Sequence, residues 1–135
     1  MMATPDQLRE AAWAAMARSH APYSGFPVGA AIEDEGGTVH TGANIECVAY
    51  PLGNCAETSA IAHMVMAGGQ RIRAVAVVAE KQPGVTPCGG CRQRLAEFAD
   101  AATPVHLCDA TQVVETVTLG DLFPHGFDAN LRGGA

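Results

Sequence analysis

Residues 55–91 read CAETSAIAHMVMAGGQRIRAVAVVAEKQPGVTPCGGC, and this stretch predicts a helix, a buried strand and the start of a second helix. The first helix, Cys55 to Ala67, is apolar on most sides and therefore central, and Gly68-Gly69 ends it. The unbroken apolar run from Ala74 to Ala79 is typical of a strand that is covered on both faces. A second helix is predicted from Pro87 or Cys88 to Ala99, with Thr86 as its N-cap.

The segments on either side continue this alternation of helices and strands. Before the stretch, a helix at Pro5 to Ser19 is followed by a hairpin with strands at Val28 to Ile32 and Thr38 to Ile45. The pattern predicts an α/β fold with three layers, α/β/α, around a mixed sheet of about five strands. The elements predicted after the stretch are strands at Pro104 to Leu107 and Val113 to Val117 and a short helix at Leu119 to Phe123.

Length and charge limit the possible classes of protein. A chain of 135 residues suits one domain, so we expect residues 1–135 to form a single domain with a flexible tail at about 128–135. The formal net charge of −6 argues against a nucleic-acid partner. No apolar run is long enough to cross a bilayer, and Met1 to Glu10 lacks the hydrophobic block of a signal peptide. We therefore expect a cytoplasmic protein with no membrane partner and with free thiols.

Three cysteines stand at metal-ligand spacing: Cys55 in Cys-Ala-Glu, and Cys88 and Cys91 in Pro-Cys-Gly-Gly-Cys. Three soft thiolates suit zinc, and a site with three protein ligands leaves the fourth tetrahedral position for a water molecule. Both motifs fall at predicted helix starts, where unpaired N–H groups and the helix dipole stabilise thiolates. The spacing therefore predicts one Zn²⁺ ion per chain in an open site that favours catalysis.

Glu57 is a carboxylate that such a metal would not need as a ligand. From the first turn of the helix it could carry a proton from the metal-bound water to a ring nitrogen and then to a leaving amine. Water attack on an amidine-like carbon with loss of ammonia is hydrolytic deamination, and zinc deaminases carry this signature with a non-ligand Glu.

Two less reactive interpretations of the cysteines remain open. A Cys-x-x-Cys pair alone also occurs in redox sites and as half of a zinc ribbon. A closed structural zinc site would need a fourth ligand, for which Cys108 or Cys47 could be proposed. The chain would then be a noncatalytic, zinc-stabilised binding module.

Short segments along most of the chain match the pattern of one enzyme family. The two metal motifs indicate only the wider deaminase superfamily, whereas residues 26–29 and 44–46 narrow the match to nucleoside enzymes. The chain thus resembles the small, homotetrameric, zinc-dependent cytidine deaminases. The matching segments are Pro22-Tyr23-Ser24, Phe26-Pro27-Val28-Gly29-Ala30, Asn44-Ile45-Glu46, Tyr50-Pro51-Leu52-Gly53, Cys55-Ala56-Glu57, Pro87-Cys88-Gly89-Gly90-Cys91-Arg92-Gln93, and Leu122-Phe123-Pro124 with Phe127.

The resemblance implies roles for residues around the metal motifs. Phe26 would stack on the pyrimidine ring. Asn44 and Glu46 would hydrogen-bond the ribose hydroxyls, which a free base lacks. The backbone at Ala56 and Pro87 would meet the polar edge of the base.

The resemblance also implies an activity and an assembly. The reaction would convert cytidine and 2′-deoxycytidine to uridine and 2′-deoxyuridine in pyrimidine salvage, with zinc-bound water as the nucleophile and Glu57 as the proton shuttle. Tyr50 and Phe127 would reach the site of a neighbouring subunit, so that a homotetramer would complete each pocket.

The sequence departs from this family at one position beside the metal. Many relatives carry arginine after Cys-Ala-Glu, where this chain has Thr58. Since three thiolates exceed the charge of Zn²⁺, the positive charge of Arg92, next to Cys91, is the natural compensation. Blasticidin-type nucleoside-antibiotic deaminases also lack that arginine, so an antibiotic or modified pyrimidine is the alternative substrate. An editor of cytosines in polynucleotides is a further alternative, which the acidic composition disfavours.

Overall fold

The computed structural model describes residues 2–127, in which five strands form one mixed sheet with helices on both faces. The prediction of a three-layer α/β/α domain with about five strands is confirmed, whereas the expected tail at 128–135 lies outside the described residues. The strands are β1 (Val28–Asp34), β2 (Val39–Ala43), β3 (Ile72–Ala79), β4 (Pro104–Cys108) and β5 (Val113–Thr118). The helices are α1 (Pro5–Met16), α2 (Ala56–Met66), α3 (Gly89–Phe98) and the short α4 (Leu119–Leu122), with a 3-10 turn at Tyr50–Leu52.

The strand order β2-β1-β3-β4-β5 follows from how the strands are connected. β1 and β2 form an antiparallel hairpin, and the Asp34 side chain shapes its turn by accepting hydrogen bonds from the N–H groups of Gly36 and Thr38. β3 and β4 pair in parallel because α3 carries the chain from one end of the sheet back to the other. As predicted from its apolar run, β3 is the central strand and is buried along nearly its whole length.

The layer formed by α2 and α3 holds the larger hydrophobic core, in which Met64 and Leu95 pack against alternate residues of the sheet such as Val75 and Val77. α2 lies unusually close to the hairpin at Gly42, where an added Cβ would be 2.4 Å from the backbone nitrogen of Ala60. This close approach fixes the position of α2 on the sheet, and with it the residues at the start of the helix.

The opposite face of the sheet is covered by α1. Thr4 and Gln7 form a capping box at its start, which satisfies the first backbone N–H groups of the helix. Leu8, Ala12 and Met16 form the buried stripe that packs on this face of the sheet. Within residues 2–127, no helix combines the length and the apolar character needed to cross a membrane.

Several predicted boundaries differ from the structure, most of them by one or two residues. α1 ends at Met16 rather than Ser19, and residues 50–52 form a 3-10 turn where a plain loop was expected. α3 begins at Gly89 with Cys88 as its N-cap, so the predicted cap at Thr86 was wrong. The Thr86 hydroxyl instead accepts a hydrogen bond from the Arg92 side chain.

β2 is also shorter than predicted, which matters for the site. It ends at Ala43, so Asn44 and Glu46 lie just beyond the strand rather than on it. The backbone there pairs instead with isolated partners, since Ile45 bridges both His20 and Asn54. The chain thereby leaves the sheet and runs along the mouth of the pocket described next.

Candidate active site and metal centre

Three cysteine sulfurs converge where α2 and α3 begin. Cys55 and Cys88 are the N-caps of α2 and α3, and Cys91 lies in the first turn of α3. The three Sγ atoms lie within 4.8 Å of one another, and those of Cys55 and Cys88 are 3.6 Å apart. Tetrahedral zinc with Zn–S bonds of about 2.3 Å has sulfurs about 3.8 Å apart, so this spacing fits zinc. The cluster is the one group of potential metal ligands found within residues 2–127.

The thiols of this cluster interact strongly with one another. The hydrogen bond from Cys91 lowers the pKa of Cys55, and the same contact, together with burial, raises the pKa of Cys91. Thr58 Oγ1 lies 3.8 Å from the Cys91 sulfur and opposes that rise by donating to it. Crowded thiols of this kind lose their protons together only when a cation neutralises them, which again fits a soft divalent metal.

The other cysteines do not join this cluster. Cys108 is fully buried in the core beneath α1, and burial raises the pKa of its thiol to about 11. Cys47 is half-buried on the loop after β2 and is absent from the cluster. Neither thiol therefore supplies the fourth ligand that a closed structural site would need.

Glu57 is the second residue of α2 and is buried beside the cysteine cluster. Its side chain is 3% exposed and lines the same pocket as Cys55 and Cys88. Burial raises the pKa of this carboxyl, and the positive charge of Arg94 acts in the opposite direction. A buried carboxyl with a raised pKa is suited to taking up and releasing a proton.

A pocket of about 450 Å³ opens in front of the cluster, a volume suited to a small molecule. It brings together seven residues singled out from the sequence: Phe26, Asn44, Glu46, Cys55, Ala56, Glu57 and Cys88. Sequence reasoning gave no pocket role to Ser24, Val28, Val77, Val85 and Thr86, which complete its lining.

Asn44 and Glu46 form part of the pocket wall and bond the segment before β1. The Asn44 amide accepts a hydrogen bond from Val28 N at 2.9 Å and donates one to Phe26 O at 2.9 Å, which fixes the segment that carries the Phe26 ring. The Glu46 carboxylate accepts from the backbone N–H groups of Tyr23 and Ser24 and from the Ser24 hydroxyl.

The Ser24 hydroxyl is the main reason why the pKa of Glu46 lies below its usual range, followed by the backbone N–H of the same residue. Glu46 therefore stays ionised, as an acceptor facing the pocket. Ser24 could have been found from the sequence, since it belongs to one of the segments that matched the family.

Three other residues singled out from the sequence, Tyr50, Pro87 and Phe127, are absent from the lining of this pocket. Tyr50 is exposed and lines a neighbouring pocket of about 210 Å³ that shares Ser24 with the first. Pro87 is buried just before Cys88, and its carbonyl accepts a hydrogen bond from Arg92 Nε at 2.8 Å. Phe127 is exposed at the end of the described chain.

Comparison with known proteins assigns the chain to a family. Residues 2–107 match the family model described as "Cytidine and deoxycytidylate deaminase zinc-binding region". A cytidine deaminase from Sporosarcina psychrophila is 44% identical over 110 residues, which cover 82% of this chain and 81% of that protein. The chain belongs to the cytidine deaminase family.

Solved cytidine deaminases share the fold as well as the sequence pattern. The crystal structure of the cytidine deaminase from Burkholderia pseudomallei matches with a TM-score of 0.87 at 39% identity, covering 93% of this chain and all (100%) of that one. The cytidine deaminase from Mycobacterium tuberculosis matches with a TM-score of 0.82 at 38% identity, covering 90% and 95% of the two chains. These matches confirm the predicted family, fold and enzyme class, that of a hydrolytic deaminase.

Proposed function

We propose that this protein is a zinc-dependent hydrolase of free pyrimidine nucleosides. It converts cytidine and 2′-deoxycytidine, each with one water, to uridine and 2′-deoxyuridine with release of ammonia. The observation that carries the proposal is the buried Glu57, a carboxyl outside the cysteine cluster that shares one pocket with Cys55 and Cys88. Such an activity belongs to pyrimidine salvage, and we place it in the cytoplasm.

The roles proposed for the site residues follow from the chemistry of their side chains. Cys55, Cys88 and Cys91 would hold one Zn²⁺ ion. When bound, this ion supplies a Lewis acid that lowers the pKa of water and turns it into a nucleophile at neutral pH. Glu57 takes one proton from water and delivers it to the ring nitrogen next to the reacting carbon. It then takes the remaining proton from the new C–OH group, which becomes the carbonyl, and passes it to the amine, which leaves as ammonia when the C–N bond breaks. Its raised pKa suits a group that acts first as base and then as acid.

The pocket wall that includes Asn44 and Glu46 would select a nucleoside. Phe26 lies half-buried beside the metal centre, where its ring can stack on a pyrimidine. Asn44 keeps one N–H and one oxygen lone pair after its two backbone contacts, and the Glu46 carboxylate likewise has lone pairs left. These groups would bind the ribose hydroxyls, and backbone groups at Ala56 and Pro87 would bind the base.

A homotetramer would complete the site. Val48, Tyr50 and Leu52 expose 76%, 72% and 72% of their surfaces on the segment that follows the pocket wall, and Phe127 exposes 58%. Several large, exposed apolar side chains close together mark a surface that a partner covers. We propose that a second copy of the chain covers this segment, with Tyr50 and Phe127 reaching the neighbouring pocket.

Arg92 would contribute positive charge beside the three thiolates. It is the residue next to Cys91, and its hydrogen bonds go to oxygen atoms of Pro87, Thr86 and Leu122. Arg92 would therefore offset the negative charge of the thiolates by electrostatic attraction, without a hydrogen bond to sulfur. The Thr58 hydroxyl, in contrast, directly contacts the Cys91 sulfur.

The variant Glu57→Gln tests the proposed role of the carboxyl. It preserves the shape of the side chain and leaves the cysteine ligands intact, so one zinc per chain should remain. Turnover of cytidine should fall by a factor of about 10² to 10⁴ or more, because the amide cannot transfer the protons. Metal analysis and ultraviolet absorbance would be measured on the same preparation. A variant with full zinc that retains substantial turnover would rule out Glu57 as the proton shuttle.

A further inference from the structure

The first turn of α3 is bonded both to the loop before Cys88 and to the C-terminal end of the described chain. Arg92 Nε donates to Pro87 O at 2.8 Å, and Arg92 Nη1 donates to Leu122 O at 2.8 Å. Arg92 Nη2 adds a contact of 3.3 Å to the Thr86 hydroxyl. One half-buried side chain therefore joins Pro87 to Leu122, two residues separated by about 35 positions in the sequence.

The next residue of α3 makes a second bond to the same C-terminal segment. Gln93 Nε2 donates to Phe127 O at 2.7 Å. The segment turns back toward α3 because His125 has a positive φ of 55° and because Gly126 lies against the Phe123 ring. A Cβ at residue 126 would be 2.1 Å from that ring, so a larger residue there would force the Phe123 ring to move.

The start of α4 is bonded to the residues that lead from α3 into β4. The N–H groups of Leu119 and Gly120 donate to the carbonyls of Thr103 and Ala101 at 2.9 and 2.8 Å. The bonds from Arg92 and Gln93 therefore join residues 122–127 to the start of α3, the helix whose first turn carries Cys91. Of the two, only Arg92 also contacts the loop that carries Cys88.

We propose that Arg92 and Gln93 form a positioning clamp. Arg92 holds Pro87, and so the approach to Cys88, in a fixed relation to residues 122–127, while Gln93 sets the position of Phe127. The clamp links retention of the metal to the placement of the ring that a neighbouring subunit would receive. This last step rests on the proposed function, whereas the clamp itself rests on the contacts alone.

The planar guanidinium group of arginine allows an experiment that distinguishes the clamp from a simple effect of positive charge. Lysine keeps the positive charge of Arg92 but is a single point donor, so it cannot bond Pro87 O and Leu122 O along two fixed directions. If only charge mattered, Arg92→Lys would behave like the unmodified protein. If the clamp matters, Arg92→Lys should resemble Arg92→Gln.

Two measurements on the zinc-loaded full chain test the proposal, and neither requires a nucleoside. One is the rate of zinc transfer to a chromogenic chelator. The other is the rate of chymotrypsin cleavage after Phe127, followed by mass spectrometry. For Arg92→Lys, losing one such hydrogen bond should raise both rates by roughly fivefold or more, with cleavage elsewhere in the chain unchanged. Equal rates for Arg92→Lys and the unmodified protein would overturn the clamp.

Two further variants complete the design. Gln93→Met, which removes only the bond to Phe127 O, should speed cleavage after Phe127 and leave zinc transfer unchanged; unaltered cleavage would overturn the role of Gln93. Arg73→Lys is the matched control, since Arg73 Nη1 also donates to a backbone carbonyl, that of Glu35 at 3.2 Å, outside the clamp. A protein that fails to deaminate cytidine would contradict the proposed function but would leave these comparisons valid.

Discussion

At the scale of single residues, the groups to which we assign the chemistry lie where two helices begin. Cys55 and Cys88 cap α2 and α3, while Glu57 and Cys91 lie in the first turns of the same helices. Helix starts offer unpaired N–H groups and a positive dipole end, which favour the thiolate form of cysteines placed there. The sequence indicated each half of this arrangement, because the spacing of residues within one helical turn determines which side chains lie on the same face of that helix.

Replacing one ligand should remove the metal and weaken the fold. We expect Cys88→Ala to lose its zinc and to unfold at a lower urea concentration, because binding of a structural or catalytic metal is coupled to folding. The matched control is Cys47→Ala, whose thiol lies outside the cluster and should keep one zinc per chain. Metal analysis after gel filtration decides the matter, and full occupancy in the Cys88 variant would refute this ligand set.

A buried carboxylate far from the metal should control stability in acid. Asp34 Oδ2 lies 2.8 Å from His40 Nε2, and this bond, followed by the N–H groups of Thr38 and Gly36, lowers the pKa of Asp34. A carboxyl whose pKa is lower in the folded state stabilises the protein above its unfolded pKa of about 3.9. That stability is lost as the pH falls from about 5 through the folded pKa.

The variant Asp34→Asn isolates this contribution. Its amide oxygen can still accept from Gly36 and Thr38, but it loses the charge beside His40. The free energy of unfolding of the unmodified protein should exceed that of the variant at pH 7, and the gap should narrow toward pH 3. Glu115→Gln, at an exposed position of β5, serves as the control. A gap that stays constant between pH 7 and pH 3 would contradict the assignment.

At the scale of elements, the sequence predicted the helices and strands better than their ends. The apolar run of β3 left little choice, because this strand is covered on both faces. α2 was expected to be central, but it buries one face and leaves Val65 and Met66 exposed on the other. The start of α3 was misplaced because a proline preceded by threonine is a common helix start, whereas here Thr86 bonds the Arg92 side chain. Such long-range side-chain contacts, including those of Arg92 and Gln93 to residues 122–127, leave no periodic signal in a sequence.

The contact between α2 and the hairpin predicts that substitution by alanine changes the stability of the fold much more at Gly42 than at Gly36. An added Cβ at Gly42 would lie 2.4 Å from Ala60 N and 2.6 Å from Ala56 O, both rigid backbone atoms. Gly42→Ala should therefore destabilise the fold by about 1–3 kcal/mol, as overpacking does. Gly36→Ala, whose Cβ would meet its nearest neighbour at 3.5 Å, should change little. Thermal unfolding of both variants checks this, and equal midpoints would mean that α2 lies less close to β2.

At the scale of the whole molecule, one described chain supplies the metal ligands, the carboxyl and one pocket wall, but leaves Tyr50 and Phe127 outside that pocket. The family resemblance indicated these two residues, while nothing in periodicity or composition did. Their exposure fits a role toward a neighbouring subunit, which only an experiment on the assembly can test directly.

Mixing two inactive variants tests whether Phe127 acts across subunits. Phe127→Ala and Glu57→Gln should each be weak or inactive alone. Unfolded and refolded together with zinc, they should regain activity, because a site with intact Glu57 can receive Phe127 from the other chain. Random assortment in a symmetric assembly would restore roughly a quarter of the sites. Mixed oligomers without any recovery would place Phe127 at the site of its own chain.

The most direct test of the account is the ultraviolet spectrum of cytidine incubated with the purified protein carrying one zinc per chain. We predict conversion to the spectrum of uridine, with ammonia released in equal amount, and no comparable change with blasticidin S run in parallel. A change with blasticidin S alone would transfer the activity to nucleoside antibiotics. An unchanged cytidine spectrum from the zinc-loaded protein would contradict the central claim that this site deaminates cytidine.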